Sequence, residues 1–334
     1  MPVPAPTFSV IIPYYKGHDV IRTAVESVLA QTVPPHEIVI CDDGSPDDLE
    51  AALGPLASEV RIVRKENGGI SSAMNTAADA ATGEFVVQLD QDDVFMPRRL
   101  EAIAGVIADH PDADVVATDA VIEFGGTRLT LLSDVYPFHE TGQRKAILRG
   151  LFFLWPTVRR SRLDAIGGYD ETFPVNHDWE CYVRLVLSGA KVAFVPEALY
   201  AWRLTPGSRS SSDAVERATM MLRMADKTLA RDDLDPEERA IAEAGRTSHL
   251  AMLAIERAHH ALMTAGKDQR QLALPLLTRP GFRPMTRAKA ALTLLSPMLA
   301  RRFITRRAIR DPATEALVRR HLPRTAAGPQ STRP

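Results

Sequence analysis

The chain has 334 residues, 45% of them hydrophobic and 25% charged, which suits about two domains of soluble globular type and excludes wholesale disorder, collagen-like repeats and a membrane-embedded bundle. Its formal net charge of -2 conceals a polarity: residues 281–334 hold 12 Lys and Arg against 2 Asp and Glu, a surplus of +10 that leaves -12 on residues 1–280. Cys41 and Cys181 are too few for a disulfide framework and lack the spacing of a zinc site, so they read as free thiols of a reducing compartment.

In chain order, the opening MPVPAPTFSVIIPYYKG puts prolines where a signal peptide needs an unbroken apolar core. The longest apolar stretch, Ala146 to Val158, is broken by Arg149 and Pro156. Both observations predict a cytoplasmic protein, at most attached to the inner face of a membrane. Short β-rich runs then alternate with helical patterns: Phe8 to Pro13, Glu37 to Asp42, Arg61 to Glu66 and Glu84 to Asp90. Such alternation predicts a parallel sheet with helices on its faces. Val20, Ile21, Ala24, Val25, Val28 and Leu29 recur at helical spacing with Asp19 placed as the cap, a second helix is expected from Ile70 to about Ala81, and a third from Pro97. From Asp213 onward the pattern is helical only, with start boxes at Asp213/Glu216 and Asp235/Glu238. The expected division is therefore a sheet domain over residues 1–210, a helical region over 211–322, and an aperiodic, disordered tail over 323–334.

In an open parallel sheet, ligands bind at the carboxyl ends of the strands. Here those ends are acidic: strand two exits into Asp42, Asp43, Gly44 and Ser45, and the strand ending near Asp90 exits into Gln91, Asp92 and Asp93. Carboxylates gathered in a cleft repel one another, and a divalent cation is the simplest remedy. Hard oxygen ligands suit Mg²⁺ or Mn²⁺, which commonly bridge one or two carboxylates to substrate phosphates. Taken alone, LDQDD reads either as such a site or as a solvated capping turn before Pro97. The turn after strand one, PYYKGHD, has no GxGxxG, and no Walker-type loop appears, so the dinucleotide and P-loop alternatives fail.

The ordered motifs SVIIPYYKG, SVLAQT, EIVICDDGS, ENGGISSAMNTA, ATGEFVVQLDQDDVFMP, AIGGYDETF and NHDWECYVRL resemble those of the inverting family 2 glycosyltransferases of GT-A fold, over about residues 8–210. The resemblance implies a Rossmann-like, mostly parallel α/β sheet flanked by helices, and an enzyme that moves a sugar from a nucleotide-sugar donor, a UDP-sugar, to a hydroxyl acceptor. That acceptor would be a saccharide or lipid-linked saccharide in polysaccharide, glycolipid or glycoconjugate synthesis.

It also implies that Pro13 and Tyr15 line the nucleotide pocket, that Asp43 bonds the base, that Asp90 lies near the ribose, and that Asp92 ligates the metal with help from Asp93. For Asp42 and Asp43 the alternative is capping of the following turn. Asp178, in NHDWE, matches the family's general base. His177 before it would orient Asp178, contact the acceptor, or sit on a loop. Glu180 is the weaker base candidate, because on a helix it projects about 200° away from Asp178.

Two departures bear on the donor site. Met74 stands where many relatives carry Arg, and Thr205 stands where the family's His can ligate metal or diphosphate; Arg203 and Arg209 are the cations that would compensate. Trp155 is read either as a sugar-stacking platform or as core. The rival reading of the whole chain is a sugar-nucleotide-binding or scaffold protein with weakened or no turnover.

Ser296 and Pro297 mark a helix start whose Arg302, Arg306 and Arg310 form one row and whose Leu299, Ala300, Phe303 and Ile304 form another. Residues 296–310 thus suit either a peripheral membrane contact or packing on the acidic body or on a second subunit, giving a homo-oligomer. No nucleic-acid-binding module accompanies the arginines, so nucleic acid is not an expected partner.

Overall fold

The computed structural model describes residues 5–150, 153–204, 214–278 and 282–301. Strand β1 (Phe8–Tyr14) is buried at all seven positions, which is what a central strand covered on both faces requires. It pairs in parallel with β2 (Glu37–Asp42) and with β4 (Phe85–Gln88), and β2 pairs in parallel with β3 (Arg61–Arg64). The four strand runs read from the sequence are therefore present and parallel, with ends displaced by one or two residues.

Beyond β4 the sheet becomes mixed. Its order is β3-β2-β1-β4-β8-β6-β9-β5, with β7 (Thr127–Leu131) hairpinned onto β6. Strands β5 (Val94–Phe95), β6 (Val115–Phe124), β8 (Thr157–Arg159) and β9 (Val192–Leu204) carry no clear sequence signal. Strand β8 has only three residues and runs antiparallel to both neighbours, while the β6–β9 pairing jumps register around Pro196 and Glu197, because Pro lacks the donor a ladder needs.

Helix α1 (Ile21–Leu29) buries Ile21, Ala24, Val25 and Val28 as its periodicity predicts. Its cap differs from expectation: Val20 is the N-cap, Asp19 is exposed, and the first amides, of Val20 and Ile21, donate to the Gly17 carbonyl. Helix α2 (Leu49–Leu53) follows β2, and α3 (Ile70–Ala80) puts Ala73, Met74 and Ala77 in the core. Met74 is fully buried there, so nothing from position 74 reaches the strand ends. Helix α4 (Arg99–Asp109) starts two residues after Pro97.

Helices α5 (Gln143–Arg149), α6 (Arg160–Ala165) and α7 (His177–Leu187) complete the sheet-bearing part, and α8 (Ala214–Leu229), α9 (Pro236–Met263), α10 (Gln269–Thr278) and α11 (Pro284–Leu295) follow. Met224 of α8 and Leu234 belong to the main core, whereas Ala258, Ala273, Leu276 and Ala290 form a second, smaller one among α9, α10 and α11. The capping box read at Asp235 and Glu238 is present in both directions. The division near Ser210, the box at Asp213, the arginine row from Arg302 and the tail lie outside the described residues.

Charged pairs fasten α8 and the start of α9 to the sheet-bearing part. Lys227 bonds Asp170 at 2.7 Å and Glu180 at 2.5 Å, and Arg144 clamps Glu238 through two bonds of 2.7 and 2.9 Å. Arg144 holds the buried Glu238 carboxyl below the ordinary glutamate range, so this pair stabilises the fold above the unfolded pKa of about 4.3 and the contribution fades as pH falls through the lower, folded value. Glu238→Gln is accordingly expected to lower the unfolding free energy by about 1–2 kcal/mol at neutral pH. The gap to the wild-type chain in denaturant melts should close as the pH drops below about 4; a gap that stays constant with pH would contradict the account.

Candidate functional site at the strand ends

Two strand exits face each other across one loop pair. The Tyr15 amide donates to Gln91 Oε1 at 2.9 Å, and Gln91 Nε2 donates back to the Tyr15 carbonyl at 3.1 Å. Gly17 makes this approach feasible, since a Cβ there would lie 2.6 Å from Gln91 Oε1. Pro13 is buried in β1, and the Tyr15 ring, 37% exposed, stands beside Lys16 at the exit.

After β2 the two aspartates divide. Asp42 accepts from the Ser45 amide at 2.9 Å, which bears out turn capping, and its other oxygen lies 3.5 Å from Arg64. The Asp43 carboxylate, 3% exposed, accepts from the amides of Gly68 (2.9 Å) and Gly69 (2.8 Å) and from Lys65 Nζ (3.0 Å). It therefore moulds the Gly68–Gly69 turn that starts α3, and its Oδ2 keeps one lone pair for a ligand N–H. Lys65, which the sequence reading did not single out, is the cation on this wall.

The LDQDD segment is the centre of the site. Asp90 accepts from Trp155 Nε1 at 3.0 Å and from Gln88 Nε2 at 3.1 Å. Gln88 is itself oriented by the Tyr182 hydroxyl, which donates to its Oε1 at 3.0 Å. Asp93, 2% exposed, accepts from the Tyr200 hydroxyl and from the Arg203 amide, both at 2.8 Å. Asp92 takes no donor from another residue among those described. Burial raises all three carboxyls above the ordinary aspartate range, most strongly for Asp93, and the Asp90 charge pushes Asp92 and Asp93 further the same way. Among the described residues no group of three or more His, Cys, Asp and Glu converges as a ready metal cage. The donor set still fits a hard cation, because three crowded carboxylates, one of them without a partner, lack positive charge, and phosphate oxygens and water would complete the shell.

Beneath these carboxylates lies a bracket that the sequence reading missed. Arg99 is 1% exposed and has no carboxylate partner; it donates to the Trp155 carbonyl at 2.6 Å and to Thr118, and its guanidinium lies over the rings of Phe95 (4.8 Å) and Tyr200 (5.1 Å). Burial draws it down to about 10. Trp155, held with φ of 45°, stacks on Tyr200 at 4.3 Å. Arg99 thus steadies the two side chains that fix Asp90 and Asp93. The signal was available: Arg99 falls on the buried α4 stripe with Ile103 and Ile107, at helical spacing.

The same contacts correct the stacking reading of Trp155. Its indole is 7% exposed, with one face on Tyr200 and Trp202 tilted against it at 5.3 Å, so it holds Asp90 and offers no open platform to a sugar. The Arg203 guanidinium lies 3.9 Å from Glu123, so it is the Arg203 backbone that serves the acidic loop. Thr205 and Arg209 lie outside the described residues.

Across the cleft, Asn176 takes φ of 57° and α7 begins with His177 and Asp178. Asp178 is half-buried, its Oδ1 accepting from the Trp179 amide at 2.8 Å. Its charge helps raise Asp90 while His177 acts in the opposite sense, which places both beside the acidic loop. His177 is 8% exposed in the first helical turn, against the loop position weighed from sequence, and neither ring nitrogen has a hydrogen-bond partner. Glu180 is 1% exposed and bonded to Arg184 and Lys227, a structural role in keeping with its low rank as a base.

Residues 9–167 match the family model described as Glycosyl transferase family 2. The chain is 27% identical over 215 residues to the putative glycosyltransferase EpsH of Bacillus subtilis, covering 60% of this chain and 61% of that one. It spans between 19% and 64% of the length of the curated relatives reported for it. Among solved structures, S. aureus TarS 1–349 in complex with UDP-GlcNAc superimposes with a TM-score of 0.62 at 22% identity, over 81% of this chain and 79% of that one. The mannosyltransferase PcManGT of Pyrobaculum calidifontis, in complex with GDP-Man and Mn2+, gives 0.52 at 19%, over 90% and 87%. These likenesses show the GT-A fold with a helical C-terminal part.

Replacing Arg99 tests the bracket. Arg99→Met leaves the Trp155 carbonyl without its donor, with an expected loss of about 2–4 kcal/mol in unfolding free energy. The near-ultraviolet circular dichroism of the stacked Trp155–Tyr200 pair should change with it. A variant with an unaltered spectrum and midpoint would show that Arg99 does not hold the bracket.

Proposed function

The chain belongs to glycosyl transferase family 2, its residues 9–167 matching that family, and from this premise we propose that it transfers a sugar from a nucleotide-sugar donor to a hydroxyl acceptor with inversion at the anomeric carbon. The observation that carries the reading is the asymmetry of the acidic loop: both oxygens of Asp90 and both of Asp93 are held by protein donors, whereas among the described residues no other residue donates to Asp92. The donor is taken to be a UDP-sugar, in keeping with the UDP-GlcNAc bound by TarS. The acceptor is taken to be a saccharide or lipid-linked saccharide in polysaccharide, glycolipid or glycoconjugate synthesis, and the catalytic unit to be residues 1–210. We place the reaction in the cytoplasm, in keeping with two buried, unpaired cysteines.

Pro13, Tyr15 and the Asp43 wall would take the nucleotide, with Asp90 toward the ribose. Asp92 would be the direct ligand of Mg²⁺ or Mn²⁺, and Mn2+ accompanies GDP-Man in the PcManGT complex. Such an ion supplies neutralisation of the charge that grows on the departing diphosphate. The protein's own chemistry is proton removal and orientation. An Asp178 carboxylate oxygen takes the proton of the acceptor hydroxyl, and the acceptor's own oxygen forms its bond to the anomeric carbon from the face opposite the diphosphate, whose C–O bond breaks as the electrons leave with it. His177, adjacent to Asp178 and unpartnered, is available to orient the base or the acceptor.

Asp178→Asn should lower transfer by about 10²–10⁴-fold while UDP binding measured by calorimetry stays unchanged; unaltered turnover would remove the base assignment. Asp92→Ala should abolish the gain in UDP affinity on adding Mn²⁺, and a gain that survives the substitution would remove the metal assignment. A wild-type chain that binds UDP-sugars with neither transfer nor hydrolysis would favour the sugar-nucleotide-binding alternative.

A further inference from the structure

We propose that the surface formed by α10, α11 and the helical residues 297–301 after them is a docking face for an anionic lipid bilayer. Between Gln269 and Arg310 the chain carries ten Lys and Arg and no Asp or Glu, while the rest carries 30 basic against 42 acidic residues. A stretch of 42 residues without a single carboxylate offers its cations no acidic partner of its own. Within the described part of it, Arg270, Arg283 and Arg301 are exposed.

The same stretch leaves apolar side chains in solvent. Of the twelve exposed large hydrophobic residues among those described, five lie here: Leu274 (50%), Met285 (45%), Leu295 (81%), Met298 (69%) and Leu299 (55%). They are left over because the core of this region is small and alanine-rich, filled by Ala258, Ala273, Leu276 and Ala290, so the longer side chains are not drawn inward. Leu295, Met298 and Leu299 cluster within five residues, directly before Arg301 and Arg302.

Cations interspersed with protruding Leu and Met fit the interface of a bilayer with anionic headgroups. The basic side chains pair with lipid phosphates while the apolar ones enter the acyl boundary. A nucleic acid would satisfy the arginines but leave the leucines in water. No helix among the described residues is long and apolar enough to cross a membrane, so the contact is a surface one. For a transferase acting on a lipid-linked acceptor, this face would bring the cleft to the layer that holds the acceptor; that consequence rests on the proposed function, whereas the docking does not.

The test uses the full chain and no substrate. In co-sedimentation at physiological salt, vesicles of phosphatidylcholine with phosphatidylglycerol should retain at least about tenfold more protein than phosphatidylcholine alone, and high salt should release most of it. A Leu295→Glu, Met298→Glu, Leu299→Glu chain should fall to the level of neutral vesicles while its UDP binding stays unchanged. Should that chain fail to fold, Arg270→Gln, Arg283→Gln should still lose most of the preference for anionic vesicles. Equal retention on neutral and anionic vesicles, or none on either, overturns the proposal. So does a wild-type dimer in light scattering that the triple substitution converts to monomer, since the face would then bind a second copy. Absence of sugar transfer with vesicle binding intact would remove the proposed function and leave the docking face standing.

Discussion

Three carboxylates within four residues at the end of a buried strand are the constraint around which the sheet-bearing part is organised. Left to themselves, Asp90, Asp92 and Asp93 would repel one another and turn toward water. The structure holds two of them with neutral donors and not with cations: an indole N–H and a Gln amide on Asp90, a phenol and a backbone amide on Asp93. Neutral donors fix orientation without cancelling charge, so the loop remains anionic as a whole, and Asp92 is left to meet a cation that arrives with a ligand. The one fully buried cation nearby, Arg99, is spent on the scaffold: it meets the Trp155 carbonyl and two ring faces, not a carboxylate.

The mixed half of the sheet is therefore more than an extension of the parallel half. Trp155 precedes the short β8, Tyr200 and Arg203 sit on β9, and both strands lie beyond β4. Without these strands the acidic loop would have neither its indole nor its phenol. The reciprocal amide bonds between Tyr15 and Gln91 tie the loop to the exit of β1 from the other side, which brings the Asp43 wall and the LDQDD loop into one cleft. Asp178 stands at the start of α7 after the left-handed Asn176, and its charge acts on Asp90.

Legibility from sequence followed burial. Strands β1, β2 and β4 could be read because strands covered on both faces are continuous apolar runs, the edge strand β3 because Ile62 and Val63 stand between two arginines, and α1, α3 and α4 because their stripes repeat at helical spacing. Burial was not the whole of it: β6, buried at eight of its ten positions, was missed, β8 escaped because it is three residues long, and β9 because it carries Pro196 at a register shift, which breaks the alternation that a pattern reading needs. In the site, residue types that must be charged to work, Asp90, Asp92, Asp93 and Asp178, stood out against an apolar background. The residues that place them did not: Trp155 and Tyr200 look like core, and are core, while also donating from one polar atom each. Arg99 was concealed by its chemistry, since an arginine is normally assigned to the solvated face of its helix. Only its phase with Ile103 and Ile107 betrays it.

The near-zero net charge resolves into two local demands that do not answer each other. Charges compensate within roughly a Debye length of about 8–10 Å in solution, so a basic segment neutralises an acidic cleft only by lying against it. The cations that α8 and α5 contribute at the junction of the two regions are already paired: Lys227 with Asp170 and Glu180, Arg144 with Glu238. None of these pairs includes Asp90, Asp92 or Asp93. Among the described residues these junction cations leave the acidic loop uncompensated. The stretch from Gln269 to Arg310 has no carboxylate of its own, which is the charge pattern the proposed docking face rests on. A chain with both charge patterns sums to almost zero and yet carries an acidic loop, which we propose for a metal-bearing ligand, and a basic stretch, which we propose for a layer of negative headgroups.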